Sequence, residues 1–232
     1  MQDVILALIA GVGAGGLYAM LGAGLVVAFR GSGVINFAHG AVAAYAAYTF
    51  DEIRETGNVY LPWDDPIPEF GFLKSLSLNN LPVRLQIVDG PTESTALAIF
   101  VALLMSALIG ILMHLLVFRP LRNAPTLGKV IGSVGIMLYL NSIIARNFGG
   151  QNRADVGFGE FTTDSEAFNL LGGSLPRSNV FLLIAAIIMA AAVWALYRFT
   201  RFGIATRAAD ENEKGAALLG YSPQLIAGVN WV

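Results

Sequence analysis

Residues 4–29 read VILALIAGVGAGGLYAMLGAGLVVAF, running from Val4 to Phe29 without one charged side chain. Roughly 20 apolar residues in a helix suffice to cross a bilayer core, and this run would extend about 39 Å as a helix. It is too long for the apolar core of a secretory signal, and only Asp3 stands before it where a signal has a basic leader. A spanning helix is therefore expected. Working outward, Val34 to Phe50 is a second apolar stretch, short for a crossing, and Ser94 to Phe118, Val130 to Phe148 and Val180 to Phe199 are three more. Leu225 to Val232 opens another and stops too soon to cross. The expected fold is an all-α polytopic membrane helical bundle: a single transmembrane domain over 1–232 with five complete spans plus the start of a sixth, truncated at the C-terminus.

Composition agrees. The chain of 232 residues is 56% hydrophobic and 13% charged, with a mean hydropathy of +0.65, whereas soluble domains carry about 25% charged residues. Gly accounts for 26 positions, and these lie inside apolar runs, where they allow close helix packing in a membrane. The absence of Cys removes disulfides, Cys-ligated zinc and thiol nucleophiles. A net charge of −2 gives no reason to expect a nucleic-acid partner.

Basic residues near span ends set orientation. Arg30 follows span one, Arg119, Arg122 and Lys129 lie between spans three and four, and Arg198, Arg201, Arg207 and Lys214 follow span five. These are alternate connections, so one side, taken as the cytoplasm, receives all of them and the N-terminus is expected outside. The opposite side receives residues 51–93 and 149–178, which are acid-rich and sparse in bases. In the first of these outer loops Pro62, Pro66, Pro68, Pro82 and Pro91 interrupt helix formation. There Val83 to Val88 partly alternates before Asp89-Gly90-Pro91, a short strand and turn. Both loops are either a docking surface for an external partner or solvated caps.

Inside the spans, Gly11, Gly15 and Gly22 fall on one helix stripe, and Gly128, Gly132 and Gly135 form another where span four begins. Each stripe is a surface for close helix approach, either static or sliding in a moving transporter. Asn36 and His39 open the short second span, and on a helix they would share a face. They either line a solute pathway or, for Asn36, cap the helix that starts there. His114, Asn141, Ser142 and Arg146 are the remaining polar residues within spans, and read as packed, helix-bridging or interfacial groups.

Beyond span five, Ala205 to Leu219 is rich in helix formers, with Asp210, Glu211, Glu213 and Lys214 clustered before Ala216, Ala217, Leu218 and Leu219. Gly220 is a plausible stop. A short helix with an apolar end can dock in a partner's groove or lie on a membrane surface.

Three stretches together carry a resemblance. Gly33-Val34-Ile35-Asn36-Phe37-Ala38-His39-Gly40 resembles the signature of permease subunits of branched-chain amino acid-type ABC importers, where it also follows a Gly-rich first helix. Arg119-Pro120-Leu121-Arg122-Asn123-Ala124-Pro125 is similar to that family's basic segment, and Gly203 to Tyr221 resembles its cytoplasmic coupling loop. The resemblance implies that residues 200–223 engage an ATPase, with Arg207, Ala208, Glu211, Ala216, Ala217 and Gly220 as candidate coupling residues. Generic ABC importers carry Glu where Lys214 stands here, a departure in a position where the branched-chain subfamily is itself degenerate. The implied partners are ABC ATPase subunits, a second homologous permease subunit and a periplasmic or extracellular solute-binding protein, in a bacterial inner membrane.

On this reading the chain is the membrane-spanning permease subunit of an ATP-driven importer of branched-chain amino acids or related small polar solutes. It has no Gly-x-x-x-x-Gly-Lys-[Ser/Thr] with which to cradle a nucleotide, so ATP hydrolysis falls to a separate chain. An ion-coupled secondary carrier or channel would call for membrane-buried acids or an inverted repeat, and every acidic residue lies outside the apolar runs. An intramembrane enzyme would need a motif such as His-Glu-x-x-His or Gly-x-Ser-x-Gly, which is lacking. No catalytic residue, metal or cofactor is assigned.

Overall fold

The computed structural model describes residues 2–63, 84–149, 168–170, 173–175, 177–218, 220–222 and 226. Its helices are α1 (Gln2–Ser32), α2 (His39–Thr56), α3 (Thr95–Met113), α4 (Thr126–Asn147), α5 (Arg177–Phe199), α6 (Arg201–Glu211) and α7 (Glu213–Leu218). The strands form two antiparallel ribbons, β1 (Asn58–Tyr60) with β2 (Arg84–Gln86) and β3 (Phe168–Leu170) with β4 (Gly173–Leu175). The expected strand at Val83–Val88 is therefore present as β2. Pro66, Pro68, Pro82 and nearly all of the run Leu225–Val232 lie outside the described residues.

Among the described residues, four helical segments are long and apolar enough to cross a membrane: Gly11–Arg30, Thr95–Phe118, Thr126–Asn147 and Asn179–Phe199. The most apolar stretches of the last three are buried for only 33%, 22% and 11% of their residues. Phe100, Leu103, Ile187 and Ile188 are each at least 60% exposed. A helix that shows water so much apolar surface is an aggregation hazard, whereas lipid is its natural solvent.

The chain forms two compact units. One comprises residues 1–36 with 154–231, the other residues 37–153. In the first, α1 and α5 pack together along their lengths. A methyl group built on Gly13 would collide with the Asn179 side chain, and one on Gly16 would sit 3.1 Å from the Leu182 carbonyl oxygen. Farther along, the Arg30 guanidinium lies 5.7 Å from the centre of the Tyr197 ring. These pairings advance together, so α1 and α5 run parallel. A Cβ built on Gly11, Gly15 or Gly22 of the predicted stripe would meet nothing within 4 Å among the described residues. Close approach within the unit is made by Gly13 and Gly16, on another face of the same helix.

In the second unit α2 packs on α3 and α4. Ala41, Tyr45, Thr49 and Ile53 recur every four residues on its buried face, and α3 answers with Ala98, Ala102, Met105 and Ile109. Thr92, just before α3, donates its N–H to Arg54 O at 3.1 Å near the end of α2, so these helices run antiparallel. Phe37, just before α2, bonds to Ser133 near the start of α4, and Tyr45 and Tyr48 meet Phe148 at its end; α2 and α4 run parallel. Tyr45 and Tyr60 meet the Phe148 ring edge-on at 5.7 and 5.4 Å, and Tyr48 stacks on it at 5.1 Å. Each such pair contributes about 0.5–1.5 kcal/mol, which matters because apolar burial gains little when the alternative is lipid.

One span boundary differs from expectation. Helix α2, expected to end at Phe50, continues through Asp51 and Glu52, both buried, to Thr56. Glu52 stays inside because its carboxylate accepts a hydrogen bond from Thr56 Oγ1 at 2.9 Å. The helix then stops at Gly57, whose φ of +73° suits glycine and where a Cβ would strike the Val88 and Gly90 carbonyls. Gly57 O in turn accepts from the amides of Ile87 and Val88 at 2.9 and 3.1 Å, fastening the β2 ribbon to the helix end.

Candidate functional site

The signature at residues 33–40 forms a break between two helices. Gly33 ends α1 with φ +64° and donates its N–H to Phe29 O at 2.7 Å, and α2 starts at His39 with Ala38 at its N-cap. Asn36 therefore sits in the non-helical link, and the expected shared helix face with His39 is not formed. Val34, Asn36 and Ala38 are buried while Ile35 and Phe37 are nearly half exposed. The link, a bend at Gly33–Val34 and a turn at Phe37–Ala38, thus buries alternate side chains.

Ser133 anchors the downstream end of the break. Its side chain is fully buried, donates to Val130 O at 2.8 Å and accepts the Phe37 N–H at 3.4 Å. His39 is half-buried at the first helical position. Sequence reasoning passed over Ser133. Its signal was a lone hydroxyl one residue after Gly132, within the glycine stripe. In that stripe a Cβ on Gly132 would fall 2.9 Å from Leu121 Cδ1, whereas Gly135 meets nothing within 4 Å and Gly128 only Ala124 at 3.5 Å. The tight contact is thus with the basic segment leading into α4.

That segment is also irregular. α3 passes into a π turn at His114–Phe118, closed by Arg119 N–H to His114 O at 2.8 Å, and then a 3₁₀ turn at Pro120–Asn123. Extra residues per turn of this kind gather at functional positions in helices. Within the π turn, His114 Nδ1 is buried without a hydrogen-bond partner among the described residues. Asn141, Ser142 and Arg146 are exposed on α4.

The second candidate region is the elbow after α5. Thr200 caps α6, accepting from Gly203 N–H at 3.1 Å. A Cβ on Gly203 would overlap the backbone of Tyr197, so only glycine lets α6 fold back so tightly on the end of α5. The single helix expected from Ala205 to Leu219 is broken at Asn212, which ends α6 and accepts from Gly215 N–H at 2.9 Å to start α7. Asparagine suits both roles because its side chain competes for backbone donors.

Gly220 does stop the helix. Its φ is +86°, Tyr221 N–H reaches Ala216 O at 3.1 Å and Gly220 N–H reaches Ala217 O at 3.0 Å, the paired bonds of a Schellman ending. Of the candidate coupling residues, Ala216 is buried, Ala208 is partly covered, and Arg207, Glu211, Ala217 and Gly220 are exposed. Leu218 is 89% and Tyr221 40% exposed, so the elbow ends in a bare apolar tip. Among the described residues no group of His, Asp and Glu is placed to hold a metal ion.

A family model described as the branched-chain amino acid transport system / permease component matches residues 7–232. The high-affinity branched-chain amino acid transport system permease protein LivH of Salmonella typhimurium is 23% identical over 225 residues, covering 96% of this chain and 64% of the relative. LivH of Escherichia coli K12 gives the same identity and coverage. This chain thus spans somewhat under two thirds of the length of those curated relatives, and no solved structure matches it. The match runs through the helix break, the basic segment and the elbow alike, and the chain belongs to the branched-chain amino acid transport permease family.

Proposed function

We propose that this chain is the membrane-spanning permease subunit of an ABC importer in a bacterial inner membrane, moving branched-chain amino acids or related small polar solutes. ATPase subunits, a second homologous permease and an external solute-binding protein complete the assembly. The observation that carries the ATP-driven reading is the elbow at residues 200–223, where a capped, sharply folded pair of short helices presents Leu218 and Tyr221 without cover. Apolar side chains on a short helix beyond a membrane span fit a groove on a cytosolic protein.

Five crossings and an outer N-terminus are part of this proposal. The parallel packing of α1 and α5 favours an odd number of crossings between them, and among the described residues α3 and α4 are two. We take α2 as the third: its 18 residues extend about 27 Å, it runs alongside α4, and Asp51, Glu52 and Glu55 fall at its outer end. The break at residues 33–38 then lies at the inner end of α2, where buried Asn36 and half-buried His39 border the solute pathway.

Purifying the tagged full-length protein in mild detergent tests the coupling. An ATPase is expected to accompany it and to be lost when residues 208–220 are scrambled. Absence of the partner, or undiminished retention after scrambling, contradicts the proposal.

A further inference from the structure

Between α1 and α5 the chain holds a groove of about 540 Å³ that the transport reading does not use. Valines of both helices line it together with small residues, Ala19, Gly22 and Ala23 on α1 and Ala190 on α5. Such residues leave a furrow where larger side chains would close the two helices together. Gly22, one of the predicted packing stripe, therefore opens space here. One wall is Trp194, 61% exposed and edge-on to Phe199 at 5.4 Å. Indole rings of this kind gather at membrane interfaces.

The groove ends in arginines. Arg30 from the last turn of α1, Arg198 from the last turn of α5 and Arg207 from α6 line it, all exposed, and among the described residues no acidic side chain does. Arg30 is steadied over the Tyr197 ring. Glu211, one helical turn beyond Arg207, is exposed and makes no ion pair with it among the described residues. Three guanidinium groups lining one groove favour an anion between them, and guanidinium forks suit phosphate oxygens. The walls belong to two spans, so the ligand must also be apolar over most of its length.

We propose that this groove binds an anionic phospholipid, with the phosphodiester at Arg30, Arg198 and Arg207 and one acyl chain along Ala19, Ala23 and Ala190. A basic pocket at the cytoplasmic end of paired spans is a physically suitable headgroup site. The lipid would brace the α5–α6 corner from which the elbow projects. The site does not depend on the solute or on ATP, so its test stands apart from that of the transport proposal.

The test is native mass spectrometry of the purified full-length permease titrated with phosphatidylglycerol, phosphatidylethanolamine or phosphatidylcholine. Phosphatidylglycerol is expected to bind tightest. The double variant Arg30→Gln with Arg198→Gln should weaken it by roughly fivefold for each arginine removed, while phosphatidylethanolamine, whose ammonium offsets its phosphate, loses less. Arg198→Lys keeps the charge and should retain affinity within about twofold, which separates loss of the site from loss of the fold. Equal binding of the three lipids, or phosphatidylglycerol binding untouched by the double variant, overturns the proposal. A photo-crosslinker at Ala23 adds an independent readout in native membranes. Lipid adducts are expected, and capture of a polypeptide in their place shows that a protein helix fills the groove and overturns it as well.

Discussion

Ser133, Asn36 and Gly57 illustrate three ways in which one residue constrains this chain. The buried Ser133 hydroxyl holds Phe37 and so sets where the non-helical link ends and α2 begins. Asn36 to Ala or His39 to Ala is expected to slow uptake roughly five- to tenfold, the loss of a polar contact of about 1 kcal/mol or slightly more, while the protein still assembles. Transport assays beside size-exclusion profiles check this, and normal uptake in both variants would make the link merely structural. Gly57 to Ala should lower stability by more than about 1 kcal/mol, because a positive φ and two carbonyls both exclude a Cβ. Thermal unfolding in detergent reads that loss. Asn36 and His39 were conspicuous in the sequence as polar groups at the edge of an apolar run. The tight glycines were not, since Gly13 and Gly16 differ from Gly11 and Gly15 only in what α5 brings against them.

Helices α6 and α7 depend on caps more than on propensity. Composition alone favours one continuous helix, yet Asn212 both closes α6 and opens α7, a competition that averaged propensities do not register. Asn212 to Ala should cost about 1 kcal/mol and merge or loosen the two helices, visible as faster amide exchange at residues 213–218. The same element separates surface from core: Leu218 to Asp should abolish ATPase retention with the fold intact, because Leu218 is bare, whereas Ala216 is buried and its replacement by Asp should impair folding. Gly220 was legible as a stop because a glycine after an Ala-Leu run has few other uses. Where α2 ends was less legible. Hydropathy falls at Asp51, but helical hydrogen bonding and the Glu52–Thr56 contact carry the helix on to the first residue that can turn it, Gly57.

For the whole molecule, apolar runs predicted the four long apolar helices, because lipid imposes a length limit that a sequence displays directly. Which helices run side by side was not so legible, since that depends on contacts between distant segments, and the parallel pairs α1–α5 and α2–α4 appear only in the fold. On the proposed plan α2 is a crossing helix, which accessibility can check. The chain has no Cys, so single substitutions report cleanly: Glu55→Cys should react with an impermeant maleimide in cells with a permeable outer envelope. Ile35→Cys, 46% exposed just before α2, and Asn123→Cys should react only after the membrane is opened, and labelling of Ile35→Cys and Glu55→Cys alike would remove α2 from the spans. The central claim, transport driven by ATP hydrolysed on a separate chain, is met most directly by reconstitution. Full-length permeases, ATPase and binding protein are placed in liposomes, and uptake of labelled leucine, isoleucine or valine is followed. The account predicts uptake that requires ATP on the ATPase side and persists when ion gradients are collapsed; uptake that follows an ion gradient, or that survives omission of the ATPase, would contradict it.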